Sequence, residues 1–305
     1  MPPDGRIMPD ETDARTSSVG PPLRANLLFV LPCLLLLVLF IVLPLLIGAA
    51  ISFQDYDLRA GSNGWVGFDN FRKLLHDDAF PGAVANTLLF VAITVPASVL
   101  LGLALALALN NPRRGSAFFR PLFFAFAVIT VSVVTMAWRA MLLPGGLAHS
   151  VERFFGVPAF DPGHGPAAAA IAPIAVATIW WLVGVPMMLF CAALDRVSAD
   201  VYDAARLDNV GRLRTFLFVT LPSVRRTFLL AVVIEIVLHV QVFGQTLLIG
   251  ADAPAAQSMA QFIYDAAFRD QQFGLGSAAA QVLLGIVAIF ALAQLWLSRR
   301  WRAGI

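Results

Sequence analysis

Apolar and polar positions along this chain fall into long blocks rather than short alternations. Six stretches carry little or no charge: 26–51, 83–110, 121–141, 167–194, 227–250 and 273–298. Only Arg139 interrupts the third, and only Glu235 and His239 interrupt the fifth. A helix needs about 20 apolar residues to cross about 30 Å of hydrocarbon. The pattern therefore predicts an all-α integral membrane protein with six transmembrane helices, residues 26–298 forming one membrane domain. The first stretch is too long for a signal-peptide core and is read as a retained span. Pro32, Pro44, Pro96 and Pro186 predict kinks within spans. Gly102, Gly184, Gly244 and Gly285 predict close helix approach.

The connecting segments are too short for a soluble catalytic domain. Residues 1–25 are rich in Pro, Asp, Ser and Thr and read as a disordered tail, with a second short tail at 299–305. The 52–81 loop mixes aromatics with aspartates and predicts a small cap or short helices. The Gly- and Pro-rich 142–166 loop predicts a short helix near 147–155. The 195–226 loop is different. Ser198 suits an N-cap, and Asp200 falls in the first turn, where the helix dipole favours an anion. Val201, Ala204, Ala205 and Leu207 make one apolar stripe at helical spacing. Asn209 and Gly211 tolerate left-handed backbone and can end the helix. A second amphipathic stretch, with Leu213, Phe216, Leu217 and Val219, is closed by Leu221–Pro222 before the fifth span. Such a short helix needs a partner surface. Lipid and a groove in a soluble protein are both open at this point.

Composition narrows the function classes. The chain is 59% hydrophobic and 13% charged, against about 25% charged for an average soluble domain; a disordered chain and a charge-coated soluble enzyme are excluded. The only lysine, Lys73, lies outside any Gly-x4-Gly-Lys-Ser/Thr pattern, so there is no phosphate-cradling loop. Cys33 and Cys191 lie in apolar runs and have no metal-ligand spacing. His76, His149 and His164 are scattered over connecting loops. His149 with Glu152 is too little for a zinc site. No catalytic constellation is present. The arginines set orientation and form no nucleic-acid face. Arg6, Arg15, Arg24, Arg113, Arg114, Arg120, Arg196, Arg206, Arg212, Arg214, Arg225, Arg226, Arg299, Arg300 and Arg302 share one side; Arg59, Arg72, Lys73, Arg153 and Arg269 take the other. Both termini are therefore expected in the cytoplasm.

Within the spans, Glu235 and His239 lie one turn apart on one helix face, followed by Gln241 and Gln245. Burying charge in hydrocarbon is costly, so Glu235 is expected to face the bundle or a wet cavity. Three readings stay open: a pathway lining that hydrogen-bonds solute hydroxyls, a pair that holds the bundle, and a proton relay. Trp180 and Trp181 either stack on sugar rings or pack against neighbouring helices.

The 195–226 loop resembles the EAA loop of binding-protein-dependent ABC importer permeases, whose pattern is Glu-Ala-Ala-x3-Gly-x9-Ile-x-Leu-Pro. Here it reads Asp203-Ala204-Ala205, Asn209 at the Gly position, then Val219, Leu221 and Pro222. Asp replaces Glu, and Asn replaces Gly, with Gly211 two residues on. Trp65-Val66-Gly67-Phe68-Asp69-Asn70-Phe71, Asn86-Thr87, Phe118-Phe119-Arg120-Pro121, Leu207-Asp208 and Phe273-Gly274-Leu275-Gly276-Ser277-Ala278 are similar to signatures of the carbohydrate (maltose-type) branch. That branch's Thr-x-Gly-Gly-Pro is altered here to Ile249-Gly250-Ala251-Asp252-Ala253-Pro254.

The resemblance implies a type I importer permease fold and no catalytic or metal site in this chain. Its implied place is the inner or plasma membrane, where it would form half of the path for a sugar, polyol or glycerol-phosphate type solute. A non-carbohydrate solute and a proton-coupled secondary carrier using Glu235 and His239 are the alternatives. The implied partners are a second, different permease chain, two copies of a cytoplasmic ATPase holding the ATP and Mg, an extracytoplasmic solute-binding protein, and lipid. The implied ATPase-coupling residues are Tyr202, Asp203, Ala204, Ala205, Arg206, Leu207, Asp208, Asn209, Gly211, Leu221 and Pro222. Candidate pathway residues are Glu235, His239, Gln241, Gln245, Trp180 and Trp181.

Overall fold

A computed structural model describes residues 23–110, 116–143, 146, 167–250 and 256–303. The expected helix near 147–155, the histidines at 149 and 164, and most of the expected 1–25 tail lie outside these residues. The chain divides into two units, 1–48 and 49–305. In the first, α1 (Leu23–Leu37) continues through a π-helical turn, Val38–Val42, into α2 (Leu43–Ile51). Its large apolar side chains from Val30 to Ile47, all but Val42, are exposed. A helix apolar on every face matches hydrocarbon or subunit surroundings, not water.

In the second unit, a two-stranded antiparallel hairpin, β1 (Gln54–Asp57) and β2 (Gly61–Trp65), leads to α3 (Asp69–His76). This small cap sits on the start of the last helix, α14 (Phe273–Ala303), through an Asp57–Gln272 bridge. Buried Asn70 ties it down by donating to the Ser52 and Gln54 carbonyls at 2.9 and 2.8 Å. The amides of Ala60 and Arg59 donate to the Asp57 carboxylate at 2.8 and 2.7 Å and hold its pKa below the usual range.

The bundle itself is built on α4 (Phe80–Leu109), which runs unbroken through Pro96. Against it pack α7 (Ala167–Leu182) and α8 (Gly184–Leu194), then α11 (Leu221–Val240). Val91, Val95, Val99 and Leu103 of α4 meet Met187, Phe190, Cys191 and Leu194 of α8 and Val224 and Ala231 of α11 in the main core. A second cluster joins Phe90 to Ile171, Ile174 and Ile249, and a third joins the cap's Leu74 to Phe80, Met259, Phe262 and Ala278.

Among the described residues, five helices are long and apolar enough to cross a membrane, and up to six spans result if one bent pair counts as a single span. That pair is the expected third span, 121–141. It is two helices, α5 (Ser116–Val128) and α6 (Val131–Leu142), set at 94°. Thr130 between them is extended. Neither Gly nor Pro marks the break, so the residue pattern carries no sign of it.

Two expected boundaries also move. Leu221–Pro222 does not close the amphipathic stretch before the fifth span. The helix runs on from α10 (Arg212–Thr215) through a π-helical turn, Phe216–Thr220, into α11. Pro222 sits in the first turn of α11, directly after the widened turn, which makes room for its ring and absorbs its missing N–H. The expected tail at 299–305 is helical as far as Ala303.

Close approach is confined to particular glycines. A Cβ at Gly102 would lie 2.8 Å from Pro186 Cγ and 2.9 Å from the Met187 nitrogen, and one at Gly184 would strike the backbone of Phe123 and Phe124. Gly285 has nothing within 4 Å, so the expected approach there is absent. Gly102→Val is predicted to cost about 1–3 kcal/mol, because the fault line is backbone against backbone. Gly285→Ala stays within about 0.5 kcal/mol. Thermal unfolding of the two purified variants in one detergent measures the difference.

Candidate functional site: the 195–222 loop and the polar positions of the bundle

Asp195 caps α8, and α9 (Ala199–Leu207) follows after a turn. Ser198 acts as the N-cap, its Oγ accepting from the Asp200 amide at 3.3 Å. Tyr202 and Ala205 face the chain's own body. Ala205 is buried, and the Tyr202 hydroxyl shares a 3.3 Å hydrogen bond with Thr220 Oγ1. Val201, Ala204 and Leu207 face away, with Leu207 88% exposed. The single stripe expected from the spacing is therefore split between two faces, because the body contacts only the Tyr202–Ala205 side. Asn209 adopts φ +54° and turns the chain, while Gly211 has ordinary φ −63° and N-caps α10. Asn209 thus performs the left-handed turn. Exposed Leu213 and Phe218 extend the bare apolar set. Asp203, Asp208, Leu221 and Pro222 complete the predicted residues, all in this one stretch; of Arg206 only the backbone is described.

The polar positions inside the bundle divide into two sorts. Some serve broken backbone. Trp181 Nε1 donates to the Ile129 carbonyl at 3.0 Å, at the break between α5 and α6. Past α11 the chain breaks at Gln241–Phe243 before α12 (Gly244–Leu248). There Ser258 Oγ donates to the Val242 carbonyl at 2.6 Å, and Thr246 Oγ1 to the Phe243 carbonyl at 2.9 Å. Asn86 Nδ2 donates to the Gln257 carbonyl at 3.1 Å, and Thr87 Oγ1 accepts from the Met259 amide at 2.9 Å as α13 (Met259–Tyr264) begins.

Glu235 and His239 are of the other sort. Both are fully buried on α11. His239 Nδ1 donates to the Glu235 carbonyl at 2.7 Å and lies 3.3 Å from Glu235 Oε2. Both Glu235 carboxylate oxygens, His239 Nε2 and Ser98 Oγ of α4 make no hydrogen bond. The structure brings these two together; Trp180 packs instead against Phe126, with ring centroids 4.6 Å apart, and edge-on to Trp138 at 6.0 Å, and is 41% exposed. Gln241 is exposed, whereas Gln245 is buried. The role of Trp181 as a donor to freed backbone was missed in the residue pattern, since the break it serves was itself invisible. Among the described residues, no group of three or more His, Cys, Asp or Glu could hold a metal ion.

Trp181→Phe is predicted to leave the Ile129 carbonyl without its donor and to cost about 1–3 kcal/mol. Trp180→Phe keeps ring stacking and stays within about 0.5 kcal/mol. Thermal midpoints in detergent distinguish them; equal midpoints for both variants would remove the assigned role.

Residues 98–303 match the family model of the binding-protein-dependent transport system inner membrane component. The diacetylchitobiose uptake system permease protein of Streptomyces coelicolor is 32% identical over 278 residues, covering 85% of this chain and 77% of that protein. The multiple sugar-binding transport system permease protein of Streptococcus mutans is 27% identical, covering 90% and 94%. The sn-glycerol-3-phosphate transport system permease protein of Salmonella choleraesuis is 26% identical, covering 88% and 91%. In fold, the chain is similar to a bacterial ABC transporter that imports the polysaccharide alginate, with a TM-score of 0.79 at 20% identity over 91% of this chain and 96% of the other. The chain belongs to the family of binding-protein-dependent transport system inner membrane components, and is a permease subunit of an ABC importer.

Proposed function

We propose that this permease carries a sugar, polyol or glycerol-phosphate type solute and that its 195–222 loop is the handle gripped by a separate ATPase. The observation that carries the handle is the bare apolar set Leu207, Leu213 and Phe218 at one end of the bundle. A helix of nine residues is not stable alone and gains from a partner groove. Helices that rest on anionic lipid carry Lys and Arg. Here Asp200, Asp203 and Asp208 offset Arg206, Arg212 and Arg214, so α9 and α10 have no basic surplus for anionic lipid, which favours a protein groove. ATP and Mg belong to that ATPase, two copies of which would bind this chain and a second, different permease. The excess of arginine on the loop's side supports a cytoplasmic handle, cytoplasmic termini and a place in the inner or plasma membrane.

The solute class is supported by the carbohydrate and glycerol-phosphate names of the relatives. A related structure holds an alginate transporter with its pentasaccharide-bound periplasmic protein, and a soluble binding protein of that kind fits the cap end of this chain. For solute contact, the accessible face of Trp180 and the amide of Gln241 suit a sugar ring and its hydroxyls. Glu235 and His239, sealed inside one chain with the His239 ring 6.1 Å from Phe90 of α4, suit packing of α11 against α4.

Three experiments test this reading. Asp203→Lys with Ala204→Glu is predicted to leave membrane insertion intact while abolishing uptake and copurification with the ATPase. Wild-type behaviour of that variant removes the handle. Uptake screened over diacetylchitobiose, lactose and glycerol 3-phosphate, with and without this chain, tests the solute class. At Asn209, Gly keeps ATPase binding, while Val, forced into left-handed backbone at about 1–3 kcal/mol, weakens it about tenfold or more; titration of the solubilised complex measures both.

A further inference from the structure

The root of the loop is held by a side chain that lies outside it. Arg120, near the start of α5, donates through Nη1 to Asp195 Oδ2 at 2.9 Å and through Nη2 to Asp195 Oδ1 at 3.2 Å. Nη2 also donates to the Leu109 carbonyl at 3.3 Å, at the end of α4. Three ion pairs elsewhere among the described residues, Lys73–Asp69, His239–Glu235 and Arg269–Asp265, each bridge one turn of a single helix. This pair joins residues 75 apart in the chain and fixes orientation through two parallel prongs.

Two further contacts lock α5, one to α8 and one to α7. Midway along, Gly184 lets the α8 backbone lie against Phe123 and Phe124. At the far end, Trp181 of α7 holds the Ile129 carbonyl. From Arg120 to Ile129 the helix rises about 14 Å, so it is held at its start, middle and end. The start differs from the other two contacts in its partner: Asp195 stands directly before the Arg196–Ser198 turn that leads into α9. A displacement of α9 passes through this turn to Asp195, where the two-pronged pair is the direct link on to the start of α5.

We propose that Arg120 is a positioning residue which, through Asp195, makes α5 and α8 one lever carrying displacement of α9 to the bend at Ile129–Thr130. This rests on the ATPase-handle reading. The pair is part-exposed, with 25% and 51% of its side chains accessible, so its worth lies in orientation more than in stability. Its loss should therefore leave the chain folded.

The test uses the assembled permease–ATPase complex in nanodiscs, with Cys33→Ser and Cys191→Ala removing native thiols. Spin labels at Ala199→Cys and Val128→Cys report the α9–α5 distance; labels at Ala199→Cys and Leu58→Cys report that α9 has moved relative to the cap. On trapping with ATP and vanadate, the second distance should change while the first stays within about 2 Å, the size of a helix shift at a switching interface. In Arg120→Ala and in Asp195→Ala the first distance should change as well, and the exchange Arg120→Asp with Asp195→Arg should restore it. A first distance that changes in the wild-type pair, or stays fixed in both alanine variants, overturns the lever. Failure of the exchange to restore it overturns the Asp195 route. A wild-type chain that does not copurify with the ATPase overturns the handle reading together with the lever, and is read separately from the distances.

Discussion

Backbone hydrogen bonding inside hydrocarbon is the constraint on which the rest of this structure depends. With no water available, each N–H and C=O must find a partner within the protein. Straight helices meet this unaided, but this chain breaks its helices at Ile129–Thr130 and at Gln241–Phe243. At each break a side-chain donor takes up a freed carbonyl: Trp181 at Ile129, Ser258 at Val242, Thr246 at Phe243. The breaks let short helices turn across the bundle, the geometry that discontinuous helices use around a solute path.

Close packing supplies the second requirement. Between helices already in an apolar medium, association rests on contact and small residues more than on water exclusion. Gly102 lets α4 and α8 meet at their backbones, and Gly184 does the same for α8 and α5. The result is a core in which Val91, Val95 and Val99 interlock with Met187 and Phe190. Against that packed frame, the bare faces stand out. α1 and α2 bury no described side chain, and Leu207, Leu213 and Phe218 project from one end. Exposed apolar surface of this extent is a feature of proteins that meet lipid or other chains.

The loop's turn rests on the backbone of one residue. After α9 the chain turns through left-handed backbone, and Asn209 supplies it at φ +54°. Asparagine is the residue other than glycine that most readily enters that region. Tyr202 and Thr220 then tie α9 to the π-helical turn that follows α10.

Much of this was written in the residue order. Apolar runs of the right length determined the spans, because helix length and hydrocarbon thickness are both local quantities. Ser198 as a cap and Asn209 as a turn were legible for the same reason: each acts on its own neighbouring backbone. The bend after Val128 was not, since no Gly or Pro marks it and its stabilising donor, Trp181, lies 52 residues away. Nor was the division of Val201, Ala204, Ala205 and Leu207 between two faces, because apolar spacing gives a stripe and only the neighbouring helix selects its buried side. Glu235 and His239 could be placed on one face from their spacing alone, but their complete burial against α4 was decided by packing. Sequence by itself determined what each segment is, through interactions within a turn or two. Tertiary structure alone decided which faces meet, because that depends on contacts between residues far apart in the chain.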